Sequence, residues 1–268
     1  TAGIAAARRA LATLPPEARR LRDRVALNLA MAHRLAGRPA EAAAALDTVA
    51  LDAPDIERAT LVQWHTLLAE VRQLQGHFPA AIALLERALA LATDADGRSL
   101  PLPIAARAAI VLGELLYLRG DLDGAERHLR AAIAGGRGWA SSNFIWPAHV
   151  VLAATLAARG DAPGAEAAVV AAELLARQSG QPAALALVAD WAVRVRLALG
   201  TDPGAPPARR LDSEDRPVGL PTMLREFGRV TRAWRLLAAG QPDEAIALLE
   251  PLLRRAEGDG RGGDIIER

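Results

Sequence analysis

Val111-Leu112-Gly113-Glu114-Leu115-Leu116-Tyr117-Leu118-Arg119-Gly120-Asp121-Leu122-Asp123-Gly124-Ala125-Glu126-Arg127-His128-Leu129 is the stretch on which the fold turns. An apolar run with a small residue in its middle reaches Gly120, an aspartate follows, and Ala125 stands five residues past the glycine. The same pair returns as Gly37/Ala42, Gly76/Ala81, Gly160/Ala165, Gly200/Ala205 and Gly240/Ala245. The glycines are therefore spaced by 39, 44, 40, 40 and 40 residues. An interval of this size over nearly the whole chain predicts stacked helix pairs, each contacting its neighbours, instead of one closed core.

Other columns fall into line when the glycines are aligned. Leu46, Leu85, Leu129, Val169 and Leu249 follow them as large apolar residues, and Val49, Ala88, Ala132, Ala172 and Leu252 come one turn later. Before them stand Ala30, Ala69, Gly113, Ala153, Val193 and Ala233, which are mostly small. Small residues let two antiparallel helices approach closely while the large ones fill the space between pairs. This is the tetratricopeptide arrangement of first helix, tight turn at the glycine, and second helix carrying the alanine. The fold class read from it is all-α, a right-handed α-solenoid of helix hairpins with a period near 40 residues, spanning 1–268 as one domain of about six pairs.

First helices are placed near 17 to 36, 55 to 75, 103 to 119, 143 to 159, 182 to 199 and 221 to 239. Second helices follow near 39 to 51, 79 to 92, 122 to 134, 162 to 178 and 242 to 256. Pro15-Pro16, Pro54, Pro101, Pro103, Gly135-Gly136, Gly180, Pro182 and Pro221 punctuate them. The fifth pair is degenerate around 200–220, where Pro203, Pro206 and Pro207 forbid a regular helix. A short element around Ala208 to Glu214 takes its place. The chain begins at Thr1 and stops at Ile265-Ile266-Glu267-Arg268, which reads as the opening of a further repeat in a piece cut from something longer.

Composition narrows the function. With 51% hydrophobic and 24% charged residues the chain is of folded, water-soluble type, and its alanine content favours helix. All 32 basic residues are arginine, a bias of coding more than of chemistry. A net charge of +1 offers no broad field to nucleic acid or to an anionic membrane. The basic run Ala18-Arg19-Arg20-Leu21-Arg22-Asp23-Arg24 reads as a solvated helix face. The absence of cysteine removes disulfides and thiolate chemistry, and no segment approaches the roughly 20 apolar residues of a membrane span. A cytoplasmic location is expected.

Catalysis finds little support. His33, His65, His77, His128 and His149 show no pairing at metal-ligand spacing, so no metal or cofactor is expected. Ser141, Ser142 and Ser179 have no evident base, and the glycines at 258, 260, 262 and 263 lie in a polar linker that follows no strand. The chain reads as non-catalytic.

Met223-Leu224-Arg225-Glu226-Phe227, followed by Ala233-Trp234-Arg235-Leu236-Leu237-Ala238-Ala239-Gly240-Gln241-Pro242-Asp243-Glu244-Ala245-Ile246-Ala247-Leu248-Leu249, carries a family resemblance. The segment resembles the helical-repeat region of the large ATP-dependent, MalT-like transcriptional regulators with a LuxR-type DNA-binding end. Gly260-Arg261-Gly262-Gly263-Asp264-Ile265-Ile266-Glu267 is similar to that family's start of a next repeat. The resemblance implies a sensor module that receives a small-molecule inducer or a protein partner. Neither flanking machine is expected within this stretch. A phosphate-binding G-x-x-x-x-G-K-[ST] loop needs a lysine that the chain lacks, and no direct nucleic-acid contact by this stretch is expected.

In the tetratricopeptide arrangement the first helices line the concave face, and counting back from each turn glycine gives the side chains that would face it. These are Gln63, Glu70 and Gln73 in the second pair, Arg107, Glu114 and Tyr117 in the third, Asp190 and Arg194 in the fifth, and Trp234 in the sixth. Asn143 and Trp146 open the fourth first helix, where Pro147, Val150, Ala154 and Ala157 make a small apolar wall. Charged Glu114 and Arg194 are expected in the groove, whereas Trp64, Trp191 and Trp234 are expected first to fill gaps between the alanine-rich pairs. The alternative is a stand-alone adaptor gripping a peptide segment of a partner. Against a carboxylate clamp, lysine is absent, Asn28 and Asn143 are the only asparagines, and one groove column reads Met31, Glu70, Glu114, Ala154, Arg194, Trp234. The helix opened by Ile265 and Ile266 lacks its partner, which predicts self-association through that end.

Overall fold

A computed structural model describes residues 2–93, 103–136, 145–201 and 222–262. Twelve helices and no strand occur among the described residues. They are α1 (Ala2–Thr13), α2 (Arg19–Leu35), α3 (Pro39–Leu46), α4 (Arg58–Leu74), α5 (Phe78–Leu91), α6 (Pro103–Leu118), α7 (Leu122–Gly136), α8 (Trp146–Ala158), α9 (Ala162–Gln178), α10 (Pro182–Ala198), α11 (Thr222–Ala238) and α12 (Pro242–Gly258). The six first helices are α2, α4, α6, α8, α10 and α11, and five second helices, α3, α5, α7, α9 and α12, follow the turn glycines. The second element of the fifth pair, around 208–214, lies outside the described residues, as do 263–268.

Two boundaries depart from the sequence reading. An additional helix, α1, precedes the first pair, and Arg22 holds its end by donating from Nη1 to the carbonyls of Leu14 at 2.7 Å and Leu11 at 3.0 Å. Helix α3 stops at Leu46 instead of running to 51. The reason is local: Thr48 Oγ1 takes the Ala45 carbonyl at 2.8 Å, and the Ala50 amide turns to the buried carboxylate of Asp23.

The turn glycines work as helix terminators. At Gly160, φ is +79°, its amide reaches the Ala157 carbonyl at 3.0 Å, and the Asp161 amide reaches back to Leu156 at 2.9 Å. This pair of bonds satisfies the last carbonyls of α8 and needs a left-handed residue, which only glycine adopts without strain. Asp161 then caps α9 by accepting from the Gly164 amide at 2.9 Å, as Asp121 caps α7 through Gly124. Gly180 and Gly260 have the same positive φ and close the second helices α9 and α12.

The chain gathers into two compact units, one of residues 1–108 with 254–268, the other of residues 109–253. In the first, α1 packs on α2, α2 pairs with α3, and α4 pairs with α5. Ile4, Leu27, Ala30, Ala42, Leu46, Leu67 and Val71 lie in one continuous apolar cluster there. The turn after α12 belongs to this unit too. Arg261, with no exposed surface, lies across Gly37, whose added Cβ would stand 3.3 Å from Arg261 Cδ. Gly262 presses on the chain between the second pair's helices, where a Cβ would meet the Gln75 carbonyl oxygen at 2.8 Å. In the second unit α8 packs against α7, α9 and α10, and α10 packs against α11. Helix α8 is buried on all sides, including Val150, Ala154 and Ala157, so these three pack inside the unit and do not form an open wall.

Candidate functional site

Glu70 is the best-defined polar centre of the first unit. Placed on α4 six residues before Gly76, it is only 5% exposed, and an isolated carboxylate at that depth would be costly. Two arginines from neighbouring first helices compensate it. Arg107 on α6 donates from Nη2 to Glu70 Oε1 at 2.5 Å, and Arg34 on α2 brings its Nε to 3.3 Å from Oε2. Met31, one turn before Arg34, sets its sulfur 3.4 Å from Arg34 Nη2 and 3.9 Å from Arg107 Nη2. Repetition explains the meeting: each pair presents the same face of its first helix, so single side chains on three helices converge.

Of the residues read from the sequence, Glu70 and Arg107 are thus brought into contact, and Gln63 and Gln73 lie half-buried on the same helix as Glu70. Arg34 was not among those residues. The offset that gives Gln73 and Tyr117 in their pairs gives Arg34 in the first, so the signal was present.

A second cluster lies in the other unit. The guanidinium carbon of Arg194 sits 4.8 Å from the Trp191 ring centre and 5.6 Å from that of Trp234, joining α10 to α11. Stacking of this kind is favourable for a cation over indole. Trp234 keeps 44% of its surface exposed, and Asp190 is half-buried one residue before Trp191. Glu114 and Tyr117 on α6 and Trp146 at the start of α8 are each half-buried. Asn143 lies outside the described residues. Trp64 has a packing role, its Nε1 donating to the Leu46 carbonyl at 3.0 Å where α3 ends.

Other charges serve the framework. Arg196 on α10 forks onto Glu166 on α9, one bond being 3.1 Å from Nε to Oε2, and this guanidinium holds the Glu166 carboxyl below its ordinary range. Arg19 pairs with Asp55 at 3.5 Å and Arg20 with Glu57 at 3.2 Å, so these two arginines of the basic run lie at the surface beside acids of the next turn. His33 is buried, and desolvation, with Arg8 and Arg38, lowers its pKa against the opposing pull of Glu41. No group of three or more His, Cys, Asp or Glu able to hold a metal occurs among the described residues. No helix among them is long and apolar enough to cross a membrane.

Comparison with known proteins agrees with this architecture at the level of the family. No curated protein is a significant match to the chain. A family model described as the MalT-like TPR region matches residues 1–268, the full span of the repeats and of both clusters. With glycine-closed helix pairs along its described length and that match from end to end, the chain belongs to the MalT-like TPR region family.

Proposed function

We propose that the chain is the non-catalytic sensor and interaction module of a transcriptional regulator, taking an inducer or a protein partner on the face made by its first helices. The observation that carries the reading is the convergence of Arg34, Glu70 and Arg107 from three successive first helices. Side chains that serve only their own hairpin have no need to meet there. Family membership supports the regulator context, and a repeat array supports binding through an extended face.

A thermal-shift screen of the full chain with sugars, nucleotides and short peptides tests this, because a ligand specific to the folded state raises the melting temperature. A binder is expected whose shift is lost in Arg107→Gln while helical circular dichroism is kept. Binders indifferent to that substitution would remove the cluster of Arg34, Glu70 and Arg107 as the site.

A further inference from the structure

Arg107 is rich in donors and poor in acceptors. A guanidinium carries five N–H donors in a planar fork. Here, among the described residues, Nη2 serves Glu70 Oε1 at 2.5 Å and approaches only the weakly accepting Met31 sulfur besides, at 3.9 Å. Its Nε is buried with no hydrogen-bond partner. A third of the side chain, 33%, nevertheless remains exposed, so the group is within reach from solvent.

Glu70 is held from both sides, and the two holds are unequal in exposure. Arg34 is only 14% exposed and stays against Oε2 at 3.3 Å, whereas Arg107 stands on the open side. Were Arg107 to swing toward a ligand, Arg34 would remain as counter-charge, and Glu70 would not be left as an uncompensated buried anion, which is the costly outcome. Glu70 thus occupies the position that an incoming acid group would take on Arg107.

We propose that Arg107 anchors an oxyanion, carboxylate or phosphate, of a small ligand on this face, with Glu70 as the resident competitor that the ligand displaces. The proposal rests on the reading of the first-helix face as the binding surface. A planar guanidinium binds both oxyanions in bidentate fashion, so the shared chemistry is the acceptor pair.

Calorimetric titration of the full chain with inorganic phosphate and, separately, succinate at fixed ionic strength tests the proposal, and the stronger of the two names the group. Saturable binding is expected for the wild type. Glu70→Gln removes the competing charge and is expected to tighten binding about tenfold. Glu70→Gln with Arg107→Gln, a neutral pair that strands no charge, is expected to abolish binding, while Arg20→Gln leaves it unchanged. Binding by the double variant as tight as in wild type, weaker binding in Glu70→Gln, or no uptake of either anion overturns the anchor. In that event a neutral compound whose binding still depends on Gln63 would leave the first-helix face standing. If no compound of either kind binds, both readings fall.

Discussion

The side chain of Leu129 lies directly over the α-carbon of Gly113, so close that a Cβ added there would stand 2.6 Å from Leu129 Cγ and 3.3 Å from the carbonyl oxygen of Ala125. This contact sets the approach of α6 to α7, and it explains why the small column that is alanine in four other pairs becomes glycine in the third. Alanine is the better helix former by about 1 kcal/mol. Overpacking costs about 1–3 kcal/mol and wins at this position. Gly113→Ala is expected to lower unfolding free energy in urea, and to cost less when Leu129 is already alanine. Equal costs in the two backgrounds would separate the glycine from the leucine.

Gly37 and Gly160 offer a controlled comparison. Both have left-handed backbone, at +71° and +79°, but Gly160 has no neighbour within 4 Å of an added Cβ, whereas Gly37 meets Arg261 Cδ at 3.3 Å. Gly160→Ala should cost about 1–2 kcal/mol from backbone strain alone. Gly37→Ala should cost about 1 kcal/mol more. In an Arg261→Ala background that excess should vanish, and an excess that persisted would place its origin elsewhere in the turn.

Acid should destabilise the fold in two steps. The folded pKa of His33 lies below its ordinary 6.5, chiefly because the ring is buried, so the unfolded chain binds the proton first as pH falls. Stability is full above about 6.5 and declines below it, by at most about 1.4 kcal/mol per pH unit, until the folded form is protonated too. Glu166 acts lower, since its carboxyl is depressed below 4.5 by Arg196, and what it contributes is lost only as pH drops through that depressed value. Glu166 is 45% exposed, so the second step is small. Melting temperature against pH should show both steps in wild type, and His33→Gln should remove the first. A decline near neutrality that survives His33→Gln would assign it to another group.

Pro251 sits inside α12, exposed, where it can make no bond to the carbonyl of Ala247. Proline in a helix interior is less favourable than alanine by about 3 kcal/mol. Pro251→Ala is expected to raise stability by about 1–3 kcal/mol in chemical denaturation. Unchanged stability would mean that the helix bends around the ring without cost.

The helix pairs were legible because one constraint recurs at one spacing: every first helix ends in a left-handed residue, and glycine marks it. Where that constraint is missing, the reading was weaker. Helix α1 has no turn glycine and escaped notice, although its alanines favour helix. The end of α3 depends on Asp23, a residue of another helix, and no local pattern in 39–51 announces it. Glu70 and Arg107 were found separately by their offsets. That they touch, and that Arg34 joins them, depends on how three helices are spaced, which a periodic pattern does not encode. Gly260 was read as linker because its partner at Gly180 had not been recognised as a second set of terminators.

Arrays of repeats ordinarily fray from their termini inward, each end module loosening without regard to the other. Seating Arg261 and Gly262 on the turns at Gly37 and Gln75 denies this chain that independence, since the last described turn cannot exchange its amides freely while it covers residues so far back in the sequence. The first two hairpins and that distant turn therefore form a single foldon, held by contacts of very high sequence separation, and they should gain and lose hydrogen-exchange protection together.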